Sequence, residues 1–280
     1  MEATEMNNTK SFISRPWTFL VVLFALTLSC SRTQSLQIKP LVHAIKYPVI
    51  AHSHNDYEQD HPLSTALKYG FRSIEVDIVY DGNLLRVSHD EDHLDTKPEF
   101  EELYLSPLSK SSIIPKEGLI LLVDLKNYSD ALLQTLNDKL NKYKDYLVNR
   151  SNPLDLQGKI QIVLSGDYPR NEVIENTTIE FLFIDGRLNE NDLHLPSELV
   201  PIISIDYSDI PTLQGLYNNK GSHKEKVSKT IEIVHSNEKL IRFWKTKDHK
   251  SSWQELIKLG VDIIGIDNIQ LFYSEMYKQD

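Results

Sequence analysis

From residue 47 onward the chain alternates short apolar runs with amphipathic stretches. The runs read YPVIAH (47–52), SIEVDIV (73–79), LILLVDL (119–125), KIQIVLS (159–165), EFLFIDG (180–186), VPIISID (200–206), LIRFWKT (240–246) and VDIIGID (261–267). Most are nearly continuous in Val, Ile and Leu, the pattern of parallel strands covered on both faces. Between them, PLSTALKYG ends in Gly70, SDALLQTLNDKLNKYKDYL sets Leu132, Leu133, Leu136 and Leu140 at helical spacing behind Ser129 or Asp130, and SSWQELIKLG closes on Gly260. These endings predict helix caps. Strand and helix in alternation predict an α/β fold, and eight strands favour a closed (β/α)8 TIM barrel in a single domain. A further run, LLRVSH (84–89), follows the Asp81-Gly82 turn and predicts a hairpin partner for the second strand. The stretch RLNENDLHLPSEL between the fifth and sixth strands carries the weakest helical signal.

Polar groups fall at the C-terminal ends of these runs: His52, Asp77, Asp124, Ser165, Asp185, Asp206, Trp244 with Lys245, and Asp267. In a barrel those ends gather at one rim, where such folds do their chemistry. Asp and Ser also open loops for purely structural reasons, so no single one of them decides the matter. The sharpest pattern is IEVDI. Glu75 and Asp77 are two residues apart and share a strand face, while Ile74, Val76 and Ile78 take the other. Two carboxylates turned into a barrel are costly unless a positive group holds them, and a hard divalent cation is the natural partner. Asp124 and Lys126 share a face in the same way, as a third carboxylate ligand and a counter-charge for an anionic substrate. The competing reading is a buried Asp124–Lys126 pair or an exposed edge. His89, beside Asp90 after the hairpin, pairs with His52 as a candidate acid and base.

The 280 residues suffice for one barrel, which uses about 250 residues. The apolar fraction of 40% is ordinary for a chain with a core, and the net charge of −10 disfavours nucleic acid or anionic lipid as a bulk electrostatic partner. The one cysteine, Cys30, follows Lys10, Arg15 and the apolar WTFLVVLFALTLS. That layout reads as a secretory signal, too short for a comfortable membrane span. LTLSC resembles a bacterial lipoprotein cleavage site, although Thr27 and Leu28 depart from the usual residues there. The expectation is a signal peptide over 1–29, a tether over 30–45 starting at a lipidated Cys30, and a barrel domain over 46–280. It implies a monomer anchored by lipid to a membrane of the bacterial cell envelope, outside the cytoplasm.

AHSHND, SIEVDIVYDGNLLRVSHD and LVDLK, in that order and spacing, resemble the superfamily of glycerophosphodiester phosphodiesterases and phosphatidylinositol phospholipase C-like enzymes. HSHNDY with the nearby Pro62-Leu63 is similar to the branch named for altered inheritance of mitochondria protein 6. The resemblance implies a metal-dependent phosphoric diester hydrolase acting on a small-molecule or lipid phosphodiester. His52 and His89 would be its general acid and base, and Glu75, Asp77 and Asp124 its ligands for Mg²⁺ or Ca²⁺. Lys126, His54, Asn55, Arg242 and Trp244 would hold the substrate. The chain departs from the glycerophosphodiesterase pattern at Ser53, where that branch has Arg, and Arg242 is the expected substitute. Two other readings stay open: a zinc hydrolase that uses HSH as a His-x-His ligand pair, and a surface protein that binds a ligand without turning it over.

Overall fold

The computed structural model describes residues 49–110, 114–153, 155–156, 159–210 and 222–277. The chain divides into Met1–Gln37 and a larger unit, Ile38–Asp280, that contains all of the described residues. Cys30, the expected signal over 1–29 and the expected tether over 30–45 lie outside the described residues.

The strands are β1 (Ile50–Ser53), β2 (Ser73–Tyr80), β3 (Leu85–Val87), β4 (Leu119–Leu125), β5 (Ile160–Gly166), β6 (Leu182–Gly186), β7 (Ile202–Asp206), β8 (Leu240–Trp244) and β9 (Ile263–Ile266). All except β3 are parallel, in the order β1-β9-β8-β7-β6-β5-β4-β2, and the β1–β2 pairing closes the barrel. β3 runs antiparallel along β2, the predicted hairpin. The helices are α1 (Ser64–Lys68), α2 (Ser106–Lys110), α3 (Asp130–Lys142), α4 (Arg170–Glu175), α5 (Glu190–His194), α6 (His223–Ser236), α7 (Lys250–Leu259) and α8 (Ile269–Met276). The Ser129 side chain accepts from Leu132 N–H and Gly260 ends α7 in the left-handed region, as predicted, while α1 is capped by Tyr69 with Gly70 one residue beyond at φ +76. The weak stretch before β7 folds as the single-turn α5.

The interior of the barrel is built by strand parity. Ile50, Ile120, Val163, Phe183, Ile202, Leu240 and Ile263 pack into one buried apolar floor. Two residues further along each strand stand His52, Leu122, Ser165, Asp185, Ser204, Arg242 and Gly265. Side chains two apart share a strand face, so the second layer faces the same interior as the floor. Residues of opposite parity, such as Ile74, Val76, Ile78, Leu121, Val123, Leu164 and Phe243, join the larger core beneath the helices. The barrel is thus apolar at its foot and polar toward the C-terminal ends of its strands.

Candidate active site

The polar layer opens into a cleft of about 580 Å³ at the C-terminal rim. His54, Asn55, Glu75, His89, Asp124 and Lys126 line one side of it, and Arg187, Arg242, Trp244 and Lys245 are among the residues lining the rest.

Register explains why the carboxylates meet. Asp77 on β2 lies directly across from Asp124 on β4, and Asp124 lies across from Ser165 on β5. Glu75, Asp77 and Asp124 each bring a carboxylate oxygen within 4.8 Å of the other two. Oδ2 of Asp77 is crowded. It accepts from Tyr57 Oη at 2.9 Å and meets His89 Nδ1 at 2.8 Å and Lys126 Nζ at 3.0 Å. Its Oδ1 is buried with no hydrogen-bond partner among the described residues. Oε2 of Glu75 accepts from His52 Nε2 at 2.7 Å and from the Arg242 guanidinium. Burial opposes ionisation of Glu75, but Arg242 and the His52 hydrogen bond outweigh it and hold the carboxyl well below its usual range. Asp124 goes the other way. Burial, with Asp77 and Glu75 adding to it against the pull of Lys126, pushes its carboxyl up to about 6. An orphaned buried oxygen and three carboxylates sharing one lysine and one arginine fit a bound divalent cation, and three carboxylates are the hard donors that Mg²⁺ or Ca²⁺ takes.

Gly166 ends β5 with φ +82, and a Cβ there would come within 2.1 Å of Asp124 Oδ1 and 2.2 Å of the Leu125 carbonyl. Only glycine both adopts that backbone and leaves the Asp124 carboxylate its place.

The two histidines of HSH separate sharply. His52 is fully buried. Its Nδ1 meets the Ser73 hydroxyl at 2.7 Å and its Nε2 meets Glu75. Burial and then the charge of Arg242 push the ring down to about 4, so it is neutral at pH 7. A neutral ring has one donor and one acceptor. With Glu75 taking the donor and the Ser73 hydroxyl feeding the acceptor, both ring nitrogens of His52 are held by protein groups. His54 stands in the turn beyond β1, beside Asn55, whose φ of 44 bends the chain over the rim. It lines the cleft, and its Nδ1 meets Asp267 Oδ1 at 2.8 Å. That hydrogen bond, working against burial, raises the ring above its ordinary value. His89 is the more open of the rim pair, with 66% of its side chain exposed.

The expected site residues therefore sort as follows. Glu75, Asp77, Asp124, Lys126, His89, His54 and Asn55 come together. Arg242 reaches the cleft but spends a guanidinium nitrogen on Glu75, so it acts first as that carboxylate's counter-charge. Trp244 lines the cleft with Lys245 Nζ 4.5 Å from its ring centroid. His52 and His54 turn to different partners and share no ion site. The metal-type cluster among the described residues contains no histidine, which removes the ground for the His-x-His zinc reading. Sequence reasoning gave Asp267 no partner and missed Arg187, which follows β6 directly. Its position just past a strand end was the available signal.

Comparison with known proteins bears on the fold and the branch. Residues 40–112 match the model of the AIM6-like phosphodiesterase domain. Altered inheritance of mitochondria protein 6 from Candida glabrata is 27% identical over 80% of this chain and 70% of its own length. The homolog of that protein from Arthroderma benhamiae is 24% identical over 79% of this chain and 82% of its own. The resemblance to that branch holds. Among solved structures, a glycerophosphodiester phosphodiesterase from Parabacteroides distasonis superposes with a TM-score of 0.54 at 16% identity, covering 79% of this chain and 94% of that one. One from Agrobacterium tumefaciens gives 0.50 at 17% identity, over 82% and 100%. At these identities the likeness is one of fold, a TIM barrel.

The same relatives correct the expectation for the N-terminus. They are fungal proteins, not bacterial lipoproteins. The lipidated Cys30, the signal peptide, the membrane anchor and the bacterial-envelope localisation are withdrawn. A basic start followed by an apolar run is a degenerate pattern, and LTLSC matched its template at too few positions to carry that weight. No described helix is long and apolar enough to cross a membrane.

Proposed function

We propose that the chain is a metal-dependent phosphodiester hydrolase whose acid and base are His54 and His89. One observation supports this above the others. Two imidazoles line the cleft beside the carboxylate cluster, and each has its Nδ1 tied to a carboxylate at 2.8 Å, His54 to Asp267 and His89 to Asp77. A carboxylate at Nδ1 fixes the tautomer and leaves Nε2 as the nitrogen that moves a proton. In this reading the acid–base role expected of His52 passes to His54. His52 instead orients Glu75.

Glu75, Asp77 and Asp124 would hold Mg²⁺ or Ca²⁺, which when bound neutralises charge on the phosphoryl oxygens. Lys126 stands between Asp77 and Asp124, its ammonium kept charged by both carboxylates against the cost of burial. It presents a fixed positive charge to a phosphate oxygen. One imidazole takes a proton from the attacking hydroxyl or water at its Nε2, and the other gives one to the departing alkoxide.

The test is a screen of glycerophosphodiesters, lysophospholipids and phosphoinositides with Mg²⁺, Ca²⁺, Zn²⁺ or chelator, following released products. Turnover with Mg²⁺ or Ca²⁺ that chelator abolishes supports the reading. Turnover with Zn²⁺ alone, or binding of these compounds without turnover under every metal, would sink it.

A further inference from the structure

Strand order places a second set of charges across the cleft. The carboxylate cluster sits on β2 and β4. Around the closed barrel, β6, β7 and β8 lie on the opposite side. Arg187 follows β6 and Lys245 follows β8, and both line the cleft. Each is anchored from below by a buried carboxylate. Arg187 meets Asp185 Oδ2 at 2.7 Å, and Lys245 Nζ meets Asp206 Oδ2 at 2.7 Å. The anchors are themselves held: Ser204 donates to Asp185 Oδ1 at 2.6 Å, and Ser208 donates to Asp206 Oδ1. Asp185 and Asp206 are at most 6% exposed, whereas the Arg187 and Lys245 side chains are 48% and 63% exposed. The far wall therefore buries its negative charge and shows its positive charge.

Two details sharpen this. Lys245 has φ +56, a left-handed backbone that a lysine adopts only at a cost. Strain of this kind gathers at functional sites. Lys245 also lays its ammonium over Trp244, the exposed aromatic of this wall. A ring already covered by a cation is a poor cage for a quaternary ammonium.

We propose that Arg187 and Lys245 form a second anion subsite, so that the preferred substrate is a phosphodiester bearing a further anionic group, such as a phosphomonoester, on the part that lies against β6–β8. This rests on the hydrolase reading above. It implies that cationic headgroups are disfavoured. The reacting phosphate sits by Lys126 and the carboxylates, and the second group accepts hydrogen bonds from the Arg187 fork and Lys245. A cleft of this size has room for both, being within the range of small-ligand sites.

The test compares kcat/KM for glycerophosphoinositol 4-phosphate, glycerophosphoinositol and glycerophosphocholine. Wild type is expected to favour the first over the second by about tenfold or more, the scale of one charge-assisted hydrogen bond, and to process the third most slowly. Arg187→Gln and Lys245→Asn each pull the first ratio toward one, while Arg187→Lys keeps most of it. Asn tolerates the left-handed backbone, which offsets part of the loss of the Asp206 ion pair, so Lys245→Asn is expected to stay folded while losing the preference. Equal rates on the two inositol substrates, or a preference untouched in both variants, would overturn the subsite and leave the hydrolase standing. If no diester is turned over, the hydrolase reading falls. Calorimetry with inositol 1,4-bisphosphate then decides the subsite: binding lost in Arg187→Gln upholds it, and no binding to wild type overturns it.

Discussion

At the rim of the barrel His54 meets Asp267 at 2.8 Å, and at its foot His235, near the end of α6, meets Asp262, just before β9, at 2.7 Å. The two bonds match in length and chemistry. Both raise the imidazole above its ordinary value, and in both the hydrogen bond to the carboxylate leads against burial. Their surroundings differ. Asp262 Oδ2 also accepts from Ile241 N–H at the start of β8, so the foot pair ties a helix to two strands. Asp267 holds His54 beside a cleft that also holds three carboxylates and Lys126. Conserving the bond while changing its neighbours separates a brace from a proton carrier. Position in the barrel decides which, because the C-terminal ends of parallel strands converge on a cavity and the N-terminal ends converge on a packed floor.

The largest expected effect breaks the rim end of this comparison. His54→Ala and His89→Ala are each expected to lower kcat by about 10²–10⁴-fold, the ordinary worth of a placed acid or base. His89 is well exposed and His54 half-buried, so thermal unfolding should stay within about 1 kcal/mol of wild type. Full turnover in either variant would remove that residue from the mechanism. His52→Ala is next and distinguishes the two histidines of HSH. It leaves Ser73 and Glu75 without their buried partner and opens a cavity, at a cost of about 2–4 kcal/mol read by denaturant unfolding. A His52→Ala protein as stable as wild type but without turnover would return His52 to the acid–base pair.

How far the sequence could be read follows from the same geometry. Parallel strands covered on both faces leave unbroken apolar runs, so the eight barrel strands and the β2–β3 hairpin were visible. Parity made Glu75 and Asp77 visible as a pair, and register then carried Asp124 to them. Parity also aligned His52 with the barrel interior, correctly, but could not show that Arg242 from β8 and Ser73 from β2 seal it there. His54 lies past the strand end in a turn set by the positive φ of Asn55, where alternation no longer says which way a side chain points. Arg187 was hidden for the same reason, since its role depends on Asp185 and Ser165 from two different strands. At the N-terminus a composition pattern stood alone, without a partner elsewhere in the chain to check it, and there the reading was wrong.

A smaller effect tests how tightly the rim is built. Gly166→Ala forces a Cβ against the Asp124 carboxylate and the Leu125 carbonyl at a backbone only glycine favours. It is expected to cost about 1–3 kcal/mol and to weaken Mg²⁺ binding in a calorimetric titration. Gly265→Ala is the control, because a Cβ there meets nothing within 4 Å. Its unfolding should shift by under about 0.5 kcal/mol. Equal behaviour of the two alanine variants would mean that Gly166 does not guard the Asp124 position.

The smallest effect belongs to the foot. His235 has its pKa raised above 6.5 in the folded chain, so folding takes up a proton there. The stabilisation is complete below the unfolded value near 6.5 and is lost as pH rises through the folded value. Both partners are partly exposed, which keeps it under about 1 kcal/mol. His235→Gln should therefore narrow its stability gap to wild type between pH 6 and pH 8.5 in urea unfolding. Its kcat should match wild type at every pH, because the brace lies at the end of the barrel away from the cleft. A His235→Gln protein with an altered pH profile of kcat would show that the two ends are coupled, and the division of labour between rim and foot would fail.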